Sequence, residues 1–390
     1  MTDAGRARPR ILLGVTVAKS LILMQGLPRV LAESGWDVHV ASNPGAELDR
    51  LSAEGITVHP IVMAREPSPL QDLRSLRAWS RLIRTVRPDV VFTGTPKAGL
   101  LGMLAAKRMR VPARIYHLRG LRMETSTGWR RRVYAVVERL AISSATETLA
   151  VSKSLRDEVA RLGLAHPTRM IVLGEGSSNG VDVDRFAPGD PSAELAGRLG
   201  IDEAIPVIGY VGRLTSDKGS SELIGASMTL ARRGVAHQLL IVGEAEDEAV
   251  RGQFLDLQRQ GVSVVLTGQV ADTAPYYRLM TVFCLPTYRE GFPNVVLEAT
   301  ASGVCTVTTD ATGAKDSVID GESGVIVPMR DADRLGAAFA DVLADPAKRE
   351  LLAAAGRRRA VHQFDRRRVQ ADTVAYLSSA RADEGSGTEA

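Results

Sequence analysis

The sequence predicts an α/β protein of two domains, each with a parallel sheet covered by helices on both faces. Short apolar runs recur at the length of buried strands, and helical stretches lie between most of them. A segment with Pro188, Gly189 and Pro191 in it, residues 188–205, interrupts this alternation, which then restarts after Pro206. At 390 residues, the chain is also longer than a single hydrophobic core usually serves.

The first half of the chain predicts a complete sheet. The strand-like runs are residues 11–15, 38–41, 57–62, 90–93, 114–118, 148–151 and 170–173. The predicted helices are residues 21–34, 70–86, 98–109 and 129–142. Gly35 ends the first of them, as glycine often does at a helix C-terminus. Alternation of this kind places ligands at the carboxyl ends of the strands.

The second half repeats the pattern. Its predicted strands are residues 207–211, 238–242, 262–266, 282–285, 306–308 and 324–327. Its predicted helices are residues 220–232, 332–343, 347–364 and 367–377. The polar tail, residues 381–390, is predicted to be disordered.

Composition limits the class of protein. Hydrophobic content of 45% and charged content of 24% are ordinary for a folded globular chain. No apolar run approaches the roughly 20 residues that span a bilayer, and residues 1–10 lack an export signal, so a cytoplasmic protein is predicted. Cys284 and Cys305 each lie in an apolar run, which predicts reduced core residues.

Charge is divided unevenly along the chain. Residues 1–182 hold 27 Lys+Arg against 16 Asp+Glu, or +11, and the remainder holds 22 against 29, or −7, which sum to the net +4. The basic half could contact nucleic acid, an anionic membrane or a phosphorylated acceptor. It could equally be an arginine-rich solvated surface.

One stretch, residues 286–303, follows an apolar strand and leads through a loop into a helix. Gly291 lets the backbone approach a ligand, and the amides that begin a helix can hold an anion such as phosphate. Glu290 lies in the loop, and Glu298 lies about one and a half turns into the helix. The two carboxylates could reach different parts of one ligand, or could be a solvated loop glutamate beside an ordinary helix glutamate.

A second motif, residues 209–219, ends the first strand of the second domain. It contains Gly212, then Arg213 and Lys218. Arginine offers a planar fork to phosphate oxygens and lysine a compact charge, and both at a strand's end suit a diphosphate leaving group. Alone the motif is weak, but it occurs together with the two glutamates.

Together these motifs resemble the donor site of the family-4 retaining glycosyltransferases, which have the GT-B fold of two Rossmann-like domains facing a central cleft. The resemblance implies a nucleotide-diphosphate sugar as donor, with UDP expected as the nucleotide, and no cofactor. It implies catalytic roles for Arg213, Lys218 and Glu290. It implies donor binding by Gly212, Gly291, Phe292, Asn294, Val295 and Glu298, of which Glu298 would hold the ribose.

The same resemblance sets the predicted domain boundaries. Residues 1–187 would form the acceptor-binding domain and residues 188–365 the donor-binding domain. A helix over residues 366–380 would return to the first domain, and residues 381–390 would be the disordered tail.

A third motif, residues 173–182, predicts a tight backbone through its glycines and small polar residues. It resembles the variant found in a branch of the family that builds cell-surface polysaccharides and lipid-linked oligosaccharides. Asp182 and Asp184 have the spacing of the metal-binding Asp-x-Asp of the other large glycosyltransferase fold. Because they belong to this boundary motif, we predict no catalytic metal.

Two lysines of the first domain are candidates for the acceptor side. Lys19 follows the first strand, but Ala18 and Leu13 occupy positions where a P-loop requires glycine, so that motif is rejected. Lys97 follows the strand at residues 90–93. It could hold an acceptor phosphate or be an ordinary surface lysine.

The strand at residues 114–118 leads to two further candidates. Many relatives have a histidine directly before the glycine that corresponds to Gly120, whereas this chain has Arg119 there. His117 lies two residues earlier, hence on the same face of the strand. His117 could act at the sugar or be structural, and Arg119 could replace the histidine with a fixed charge that holds a phosphate.

The family branch implies a polyprenyl-diphosphate-linked or other sugar acceptor, and a possible contact with the inner face of a membrane. Trp129 and Arg130, Arg131 and Arg132 precede apolar positions at helical spacing. This pattern fits a shallow membrane contact or an ordinary core-facing helix behind a basic loop.

Three other functions fit parts of the sequence. A glycosyltransferase acting on a soluble small molecule would share the donor motifs. A nucleotide-sugar epimerase of similar fold would explain Arg213, Lys218, Glu290 and Glu298 less well. A nucleic-acid-binding protein is disfavoured, since aromatic content is only 4% and no aromatic residues alternate with the arginines.

Overall fold

A computed structural model of the chain describes residues 8–64, 66, 68–245 and 248–385. These residues form two compact units. The first holds the chain up to Asn179 and again from Val369, and the second holds Gly180–Arg368. The second unit begins earlier than the predicted boundary at residue 188, because Val181 donates its amide to the Phe364 carbonyl at 2.7 Å and accepts from the Arg366 amide at 2.9 Å.

The first unit contains a seven-stranded sheet, and every pairing within its described residues is parallel. Its strands are β1 (Arg10–Gly14), β2 (Asp37–Ser42), β3 (Thr57–Pro60), β4 (Val90–Gly94), β5 (Ala113–Leu118), β6 (Glu147–Ala150) and β7 (Met170–Ile171). They are ordered β3-β2-β1-β4-β5-β6-β7. The order reverses between β1 and β4, so the loops after these two strands meet at the usual ligand position of such a sheet.

The helices of the first unit are α1 (Leu27–Glu33), α2 (Ala46–Ala53), α3 (Pro69–Val86), α4 (Pro96–Arg108), α5 (Gly128–Ser144) and α6 (Lys153–Arg161). Short 3₁₀ helices cover Ala18–Met24, Arg122–Thr125 and Pro167–Arg169. The predicted helix over residues 21–34 is wrong in its first half, because Gln25 and Gly26 adopt left-handed backbone (φ 36° and 89°) and separate the 3₁₀ helix from α1. Helices α2 and α6 were not predicted; α2 has only eight residues and buries only Leu48.

The second unit contains a six-stranded sheet, again parallel in every described pairing. Its strands are β8 (Val207–Val211), β9 (Gln238–Val242), β10 (Ser263–Leu266), β11 (Val282–Leu285), β12 (Cys305–Thr309) and β13 (Val325–Val327), ordered β10-β9-β8-β11-β12-β13. Its helices are α7 (Ala193–Leu199), α8 (Ser220–Arg232), α9 (Glu248–Arg259), α10 (Ala274–Tyr277), α11 (Asn294–Ala301), α12 (Ala332–Ala344) and α13 (Pro346–Phe364). Helix α7 lies inside the segment predicted to be a connection.

The last helix, α14 (Arg366–Gly385), starts in the second unit, and from Val369 its residues belong to the first. Leu377 is fully buried in the same apolar cluster as Ile11 of β1 and Phe92 of β4. The helix includes the first five residues of the predicted disordered tail, 381–385, and residues 386–390 lie outside the described residues. None of the helices formed by the described residues is both long enough and apolar enough to cross a membrane.

The two cysteines occupy neighbouring strands of the second sheet. Cys284 is fully buried in β11, and Cys305 is 1% exposed in β12. Neither is in a disulfide. Burial raises the pKa of the Cys305 thiol to about 11, so it stays protonated at neutral pH. The prediction that both are core residues is confirmed.

Candidate active site

Two loops of the second unit meet at the carboxyl edge of its sheet. Strands β8 and β11 are neighbours, with Gly209 opposite Phe283, and the strand order reverses between them. The loop after β8 therefore lies beside the loop after β11, and the amide of Tyr288 donates to the Asp217 carbonyl at 3.0 Å. The two sequence motifs thus lie together at the position where an open α/β sheet binds ligands.

Close backbone packing shapes this edge. Gly219 has φ of 74°, and a Cβ added there would lie 1.9 Å from the Pro286 carbonyl oxygen. No other residue fits that position, because both the conformation and the space exclude a side chain. At the neighbouring turn, a Cβ on Gly243 would lie 1.9 Å from the carbonyl oxygen of Gly212. The loop after β8 therefore packs closely against the loops after β11 and β9.

The ammonium of Lys218 and the carboxylate of Glu290 form an ion pair across the two loops. Lys218 Nζ donates to Glu290 Oε1 at 2.5 Å, and the side chains are 17% and 19% exposed. The Glu290 amide donates to the Thr312 carbonyl at 2.9 Å, which fixes the glutamate's backbone. Two of the predicted catalytic residues are thus in direct contact.

A second set of charges supports the same loops. Thr215 Oγ1 donates to Asp217 Oδ1 at 2.6 Å, and Arg289 Nη2 lies 3.5 Å from Asp217 Oδ2. Burial acts to raise the pKa of Asp217, but the Thr215 hydrogen bond and the charges of Lys218 and Arg289 outweigh it, so the pKa lies below its ordinary value. Asp217 is therefore an anion at neutral pH. Asp217 and Arg289 were not predicted as site residues, although both lie inside the motifs.

Arg213 lies exposed just beyond the end of β8. The hydroxyl of Tyr210, a buried residue of β8, donates to the Arg213 carbonyl at 2.8 Å. This bond fixes the backbone from which the guanidinium extends. Arg213 therefore presents a charged, solvent-accessible side chain at the same sheet edge as Lys218.

The start of α11 supplies backbone donors. The amides of Asn294 and Val295 lie in its first turn, and they have no hydrogen-bond acceptor among the residues that the structure describes. Asn294 Oδ1 is buried and also lacks a partner there. The side chain of Phe292 is 6% exposed and packs on Phe364, with ring centroids 5.2 Å apart, so only its backbone and that of Gly291 can contact a ligand.

Glu298, in the second turn of α11, is held by a tyrosine. Tyr277 Oη donates to Glu298 Oε2 at 2.8 Å. Tyr277 is fully buried between the rings of Phe186 and Phe283, with centroids at 5.8 Å and 5.7 Å. Burial raises the pKa of Glu298 to about 7, although the Tyr277 bond and the charge of Arg185 act in the opposite direction. Tyr277 comes from a different segment and carries no sequence signal of its own.

Four acceptor-side candidates lie at the carboxyl edge of the first unit's sheet, two of them lysines. Lys19 is exposed in the 3₁₀ helix after β1. Lys97 is not a surface lysine, because its side chain is 11% exposed and its ammonium pairs with Asp72 Oδ1 at 2.7 Å. The ammonium also donates to the Glu66 carbonyl at 2.5 Å.

The other two candidates follow one another along β5 and its end. His117 is 4% exposed, its ring packs on Phe92 at 5.0 Å, and its Nδ1 has no partner among the described residues. Burial, and then the charge of Arg119, hold the pKa of His117 well below its usual value, so the ring is neutral. Arg119 is partly exposed and donates from Nη1 to the Leu23 carbonyl at 2.7 Å.

The two Asp-x-Asp carboxylates of the boundary motif form ion pairs with arginines of the same unit. Asp182 lies 3.4 Å from Arg366, and Asp184 lies 3.2 Å from Arg367. Packing requires glycine at position 180, since a Cβ there would lie 2.6 Å from the Phe364 carbonyl oxygen. These contacts give the motif a structural role. No cluster of three or more metal-ligating side chains occurs in the described ranges.

Helix α5 carries an exposed apolar stripe, which we define as Trp129, Val136 and Leu140. These side chains are 70%, 53% and 44% exposed. The guanidinium of Arg130 lies over the Trp129 ring, 5.8 Å from its centroid. A surface cavity of about 570 Å³ opens beside the stripe and is lined by Met123, Gly128, Trp129, Arg131, Arg132 and Ala135. Of the two alternatives left open for this segment, an ordinary core-facing helix does not describe Val136 and Leu140, which are exposed.

Comparisons with known proteins identify the family of the chain. The family "Glycosyl transferases group 1" matches residues 205–345, and the "Glycosyl transferase 4-like domain" matches residues 24–176. The capsular polysaccharide biosynthesis glycosyltransferase CapM of Staphylococcus aureus is 38% identical over 352 residues, which cover 90% of this chain and 92% of CapM.

Solved structures share the architecture. Sucrose-phosphate synthase from Thermosynechococcus elongatus superposes with a TM-score of 0.80 at 21% identity, covering 96% of this chain and all of that one. Anabaena HepE in complex with UDP and glucose gives a TM-score of 0.76 at 21% identity, covering 95% of this chain and 99% of HepE. Fold and site together define a glycosyltransferase of the GT-B class. Within that class, the chain belongs to the family-4 glycosyltransferases.

Proposed function

We propose that this glycosyltransferase transfers a sugar from a UDP-sugar to an acceptor hydroxyl with retention of anomeric configuration and without a catalytic metal. One observation carries the proposal. The Lys218–Glu290 ion pair, the exposed Arg213 and the open amides of α11 lie at one edge of the second sheet. That set matches the needs of a diphosphate leaving group beside a sugar.

The chemistry follows from where charge develops. As the nucleotide diphosphate departs, the anomeric carbon becomes positive and the leaving oxygen becomes negative. Arg213, Lys218 and the first amides of α11 would stabilise the leaving oxygen, so the protein itself supplies positive charge there. Glu290 would face the transferred sugar, and the acceptor hydroxyl would attack from the face that the leaving group vacates.

Recognition of the nucleotide would fall to Glu298. A carboxylate can accept hydrogen bonds from both ribose hydroxyls, and Tyr277 holds one of its oxygens in place at 2.8 Å. HepE, whose fold this chain shares, was solved with UDP and glucose, which supports UDP as the nucleotide. Gly212, Gly291, Phe292, Asn294 and Val295 would complete the donor site through their backbones.

For the acceptor, we propose a lipid-linked or polysaccharide precursor, such as a polyprenyl-diphosphate-linked sugar. CapM, whose alignment covers 90% of this chain, is a capsular polysaccharide biosynthesis glycosyltransferase. Lys19, His117 and Arg119 would line the acceptor side. Lys97 would have to leave Asp72 before it could bind an acceptor phosphate.

A lipid-linked acceptor requires the enzyme to reach a membrane surface, and the stripe on α5 suits this. Exposed apolar side chains on one face of a helix, flanked by Arg130, Arg131 and Arg132, are typical of helices that lie in the headgroup region. Tryptophan favours that depth, because its ring is amphipathic. We therefore propose a peripheral contact of the first unit with the inner face of the membrane.

A screen of nucleotide sugars tests the function directly. The full-length protein should be stabilised by UDP and should hydrolyse one UDP-sugar slowly in the absence of acceptor. Proton NMR of the product formed with an added acceptor then gives the anomeric configuration. Stabilisation by another nucleotide alone would replace the UDP assignment, and an inverted product would overturn retention.

A further inference from the structure

Arg119 is a partly buried cation with little to balance it. It follows β5 at the carboxyl edge of the first sheet, and its Nε is buried without a hydrogen-bond partner among the residues that the structure describes. Its one hydrogen bond to another residue runs from Nη1 to the Leu23 carbonyl at 2.7 Å. Across the described residues, no carboxylate forms an ion pair with it.

An arginine at the other end of β5 has its donors paired within the protein. Arg114, at the opposite end of β5, donates from Nε to the Ser144 carbonyl at 3.0 Å and from Nη1 to the Val111 carbonyl at 2.7 Å. Its polar atoms are therefore used within the protein. Burial lowers the pKa of Arg119 to about 9, as expected for a cation removed from water without an anion beside it. Arg119 is still protonated at neutral pH.

The guanidinium packs against the end of β4, where only a glycine leaves space for it. Gly94, which ends β4, lies so close that a Cβ there would be 3.2 Å from Arg119 Nε. His117 is neutral and adds no charge of either sign. Arg119 itself is partly exposed, so a ligand can reach it. A buried cation that lacks a counter-ion in the free protein destabilises it, unless an anion from outside completes the site.

We propose that Arg119 binds an oxyanion, a carboxylate or a phosphate, carried by the sugar acceptor. The proposal rests on the proposed function in assigning the first unit to the acceptor, and it adds the chemical class of the group recognised. A planar guanidinium with free donors matches both oxyanions, since each can accept two parallel hydrogen bonds. The acceptor would therefore be an acidic sugar or a sugar phosphate rather than a neutral sugar.

Three probe sugars that differ at carbon 6 separate the possibilities: D-glucose, D-glucuronate and D-glucose 6-phosphate. Each is titrated by calorimetry into the full-length protein saturated with UDP, so that the donor site is occupied. The wild type should bind one of the two acidic sugars at least about tenfold more tightly than glucose, and Arg119→Gln should remove that preference. Preference for glucuronate identifies a carboxylate, and preference for glucose 6-phosphate identifies a phosphate.

Matched variants exclude a general charge effect. Arg122→Gln removes an exposed arginine three residues away and should leave the preference unchanged, whereas Arg119→Lys should keep part of it. Equal binding of all three sugars by the wild type, or an equal loss in Arg119→Gln and Arg122→Gln, would overturn the proposal.

A stability readout separates binding from a structural role. If Arg119 serves a ligand, Arg119→Gln removes an uncompensated charge and should leave the melting temperature unchanged or higher. A clear fall in melting temperature would assign Arg119 to the Leu23 contact and count against the proposal. UDP binding is measured separately in the same variants. If the wild type does not bind UDP, the proposed donor is wrong. If it binds UDP but does not prefer either acidic sugar, only the Arg119 proposal is wrong.

Discussion

Lys218 Nζ lies 2.5 Å from Glu290 Oε1, so the last basic residue of one loop contacts the first carboxylate of the other. Both side chains are less than one-fifth exposed, which weakens solvent screening and fixes their positions. In the free enzyme each charge therefore balances the other. A bound diphosphate would compete for Lys218, and Glu290 would then be released toward the sugar.

Removing either basic residue of the donor site should slow the reaction. We expect Lys218→Ala and Arg213→Ala to lower kcat by roughly 10- to 1000-fold, because each deletes a charge that stabilises the departing diphosphate. Arg251→Ala, an exposed arginine on α9, is the matched control and should be neutral. Steady-state kinetics with folding checked by circular dichroism decides the matter, and near-normal turnover in both variants would rule out this donor site.

Glu290→Gln should act on turnover more than on donor affinity. The amide keeps the size of the side chain and can still accept a hydrogen bond from Lys218, but it cannot offset positive charge on the sugar. We expect a lower kcat with KM for the donor changed little. A variant whose KM rises while kcat is unchanged would place Glu290 in ground-state binding instead.

The fold could be predicted because buried parallel strands appear as apolar runs that helices separate. The break at Gln25 and Gly26 could not, since Leu21, Met24, Leu27 and Leu31 keep helical spacing across it and all four are buried in one cluster. Periodicity reports which side chains face the core. It does not report that the backbone turns between them.

The meeting of the two motifs at one sheet edge was predictable for a related reason. Its motif residues lie directly after strands β8 and β11, so sequence position fixes their place at the sheet edge. Tyr277 was missed because its role depends on packing that brings α10 beside α11. The ion pair of Lys97, which the sequence left open between a phosphate ligand and a surface lysine, was missed because its partner Asp72 comes from α3. Contacts between side chains of distant segments leave no local signal.

Glu298 should make donor binding dependent on pH. Burial raises its pKa to about 7 in the free protein, and the proposed ribose contact requires the carboxylate. Binding of UDP should therefore release a proton near and below pH 7, and affinity should fall as the pH is lowered through 7 toward 5. Calorimetry in buffers of different ionisation enthalpy measures that proton.

The matched variant for this test is Glu298→Gln. It should bind UDP more weakly at pH 8 and release no proton at any pH, because the amide does not titrate. Unchanged UDP affinity in this variant would remove the ribose assignment. An unchanged proton release would show that another group titrates on binding.

A buried carboxyl in the first unit should link stability to pH. Tyr116 Oη donates to Glu138 Oε2 at 2.9 Å, and Glu138 on α5 is 2% exposed. Burial, only partly opposed by the Tyr116 bond, raises the pKa of Glu138 from 4.5 to about 7. A raised folded-state pKa gives stability that is full below the unfolded value and is lost as the pH rises through the folded value.

Glu138→Gln should therefore lose less stability than the wild type between pH 5 and pH 9. The shift corresponds to at most about 3 kcal/mol, since one pKa unit is about 1.4 kcal/mol. The amide can still accept the Tyr116 hydrogen bond, so the packing of α5 is kept. Chemical unfolding of both proteins across this pH range measures the difference, and parallel curves would contradict the assignment.

The stripe on α5 predicts binding to anionic membranes. Basic residues near an anionic leaflet contribute about 1 kcal/mol each, so replacing Arg130, Arg131 and Arg132 with alanine should weaken binding to anionic liposomes by about 100-fold. Trp129→Ala should weaken it further by removing the exposed ring, which is 70% accessible. Sedimentation with anionic and neutral liposomes, at low and high salt, measures both effects.

The control variant removes the same number of positive charges elsewhere in the first unit. Arg74, Arg77 and Arg81 lie exposed on α3, and their triple alanine variant has the same net charge as the α5 variant. If the contact is made by α5, the α3 variant should sediment like the wild type, because attraction to a leaflet falls off within a Debye length of about 10 Å at 0.1 M salt. Equal weakening in both triple variants would indicate attraction by overall charge rather than a defined face. Equal recovery of the wild type in the supernatant with both kinds of liposome at low salt would count against a membrane contact and would favour a soluble acceptor.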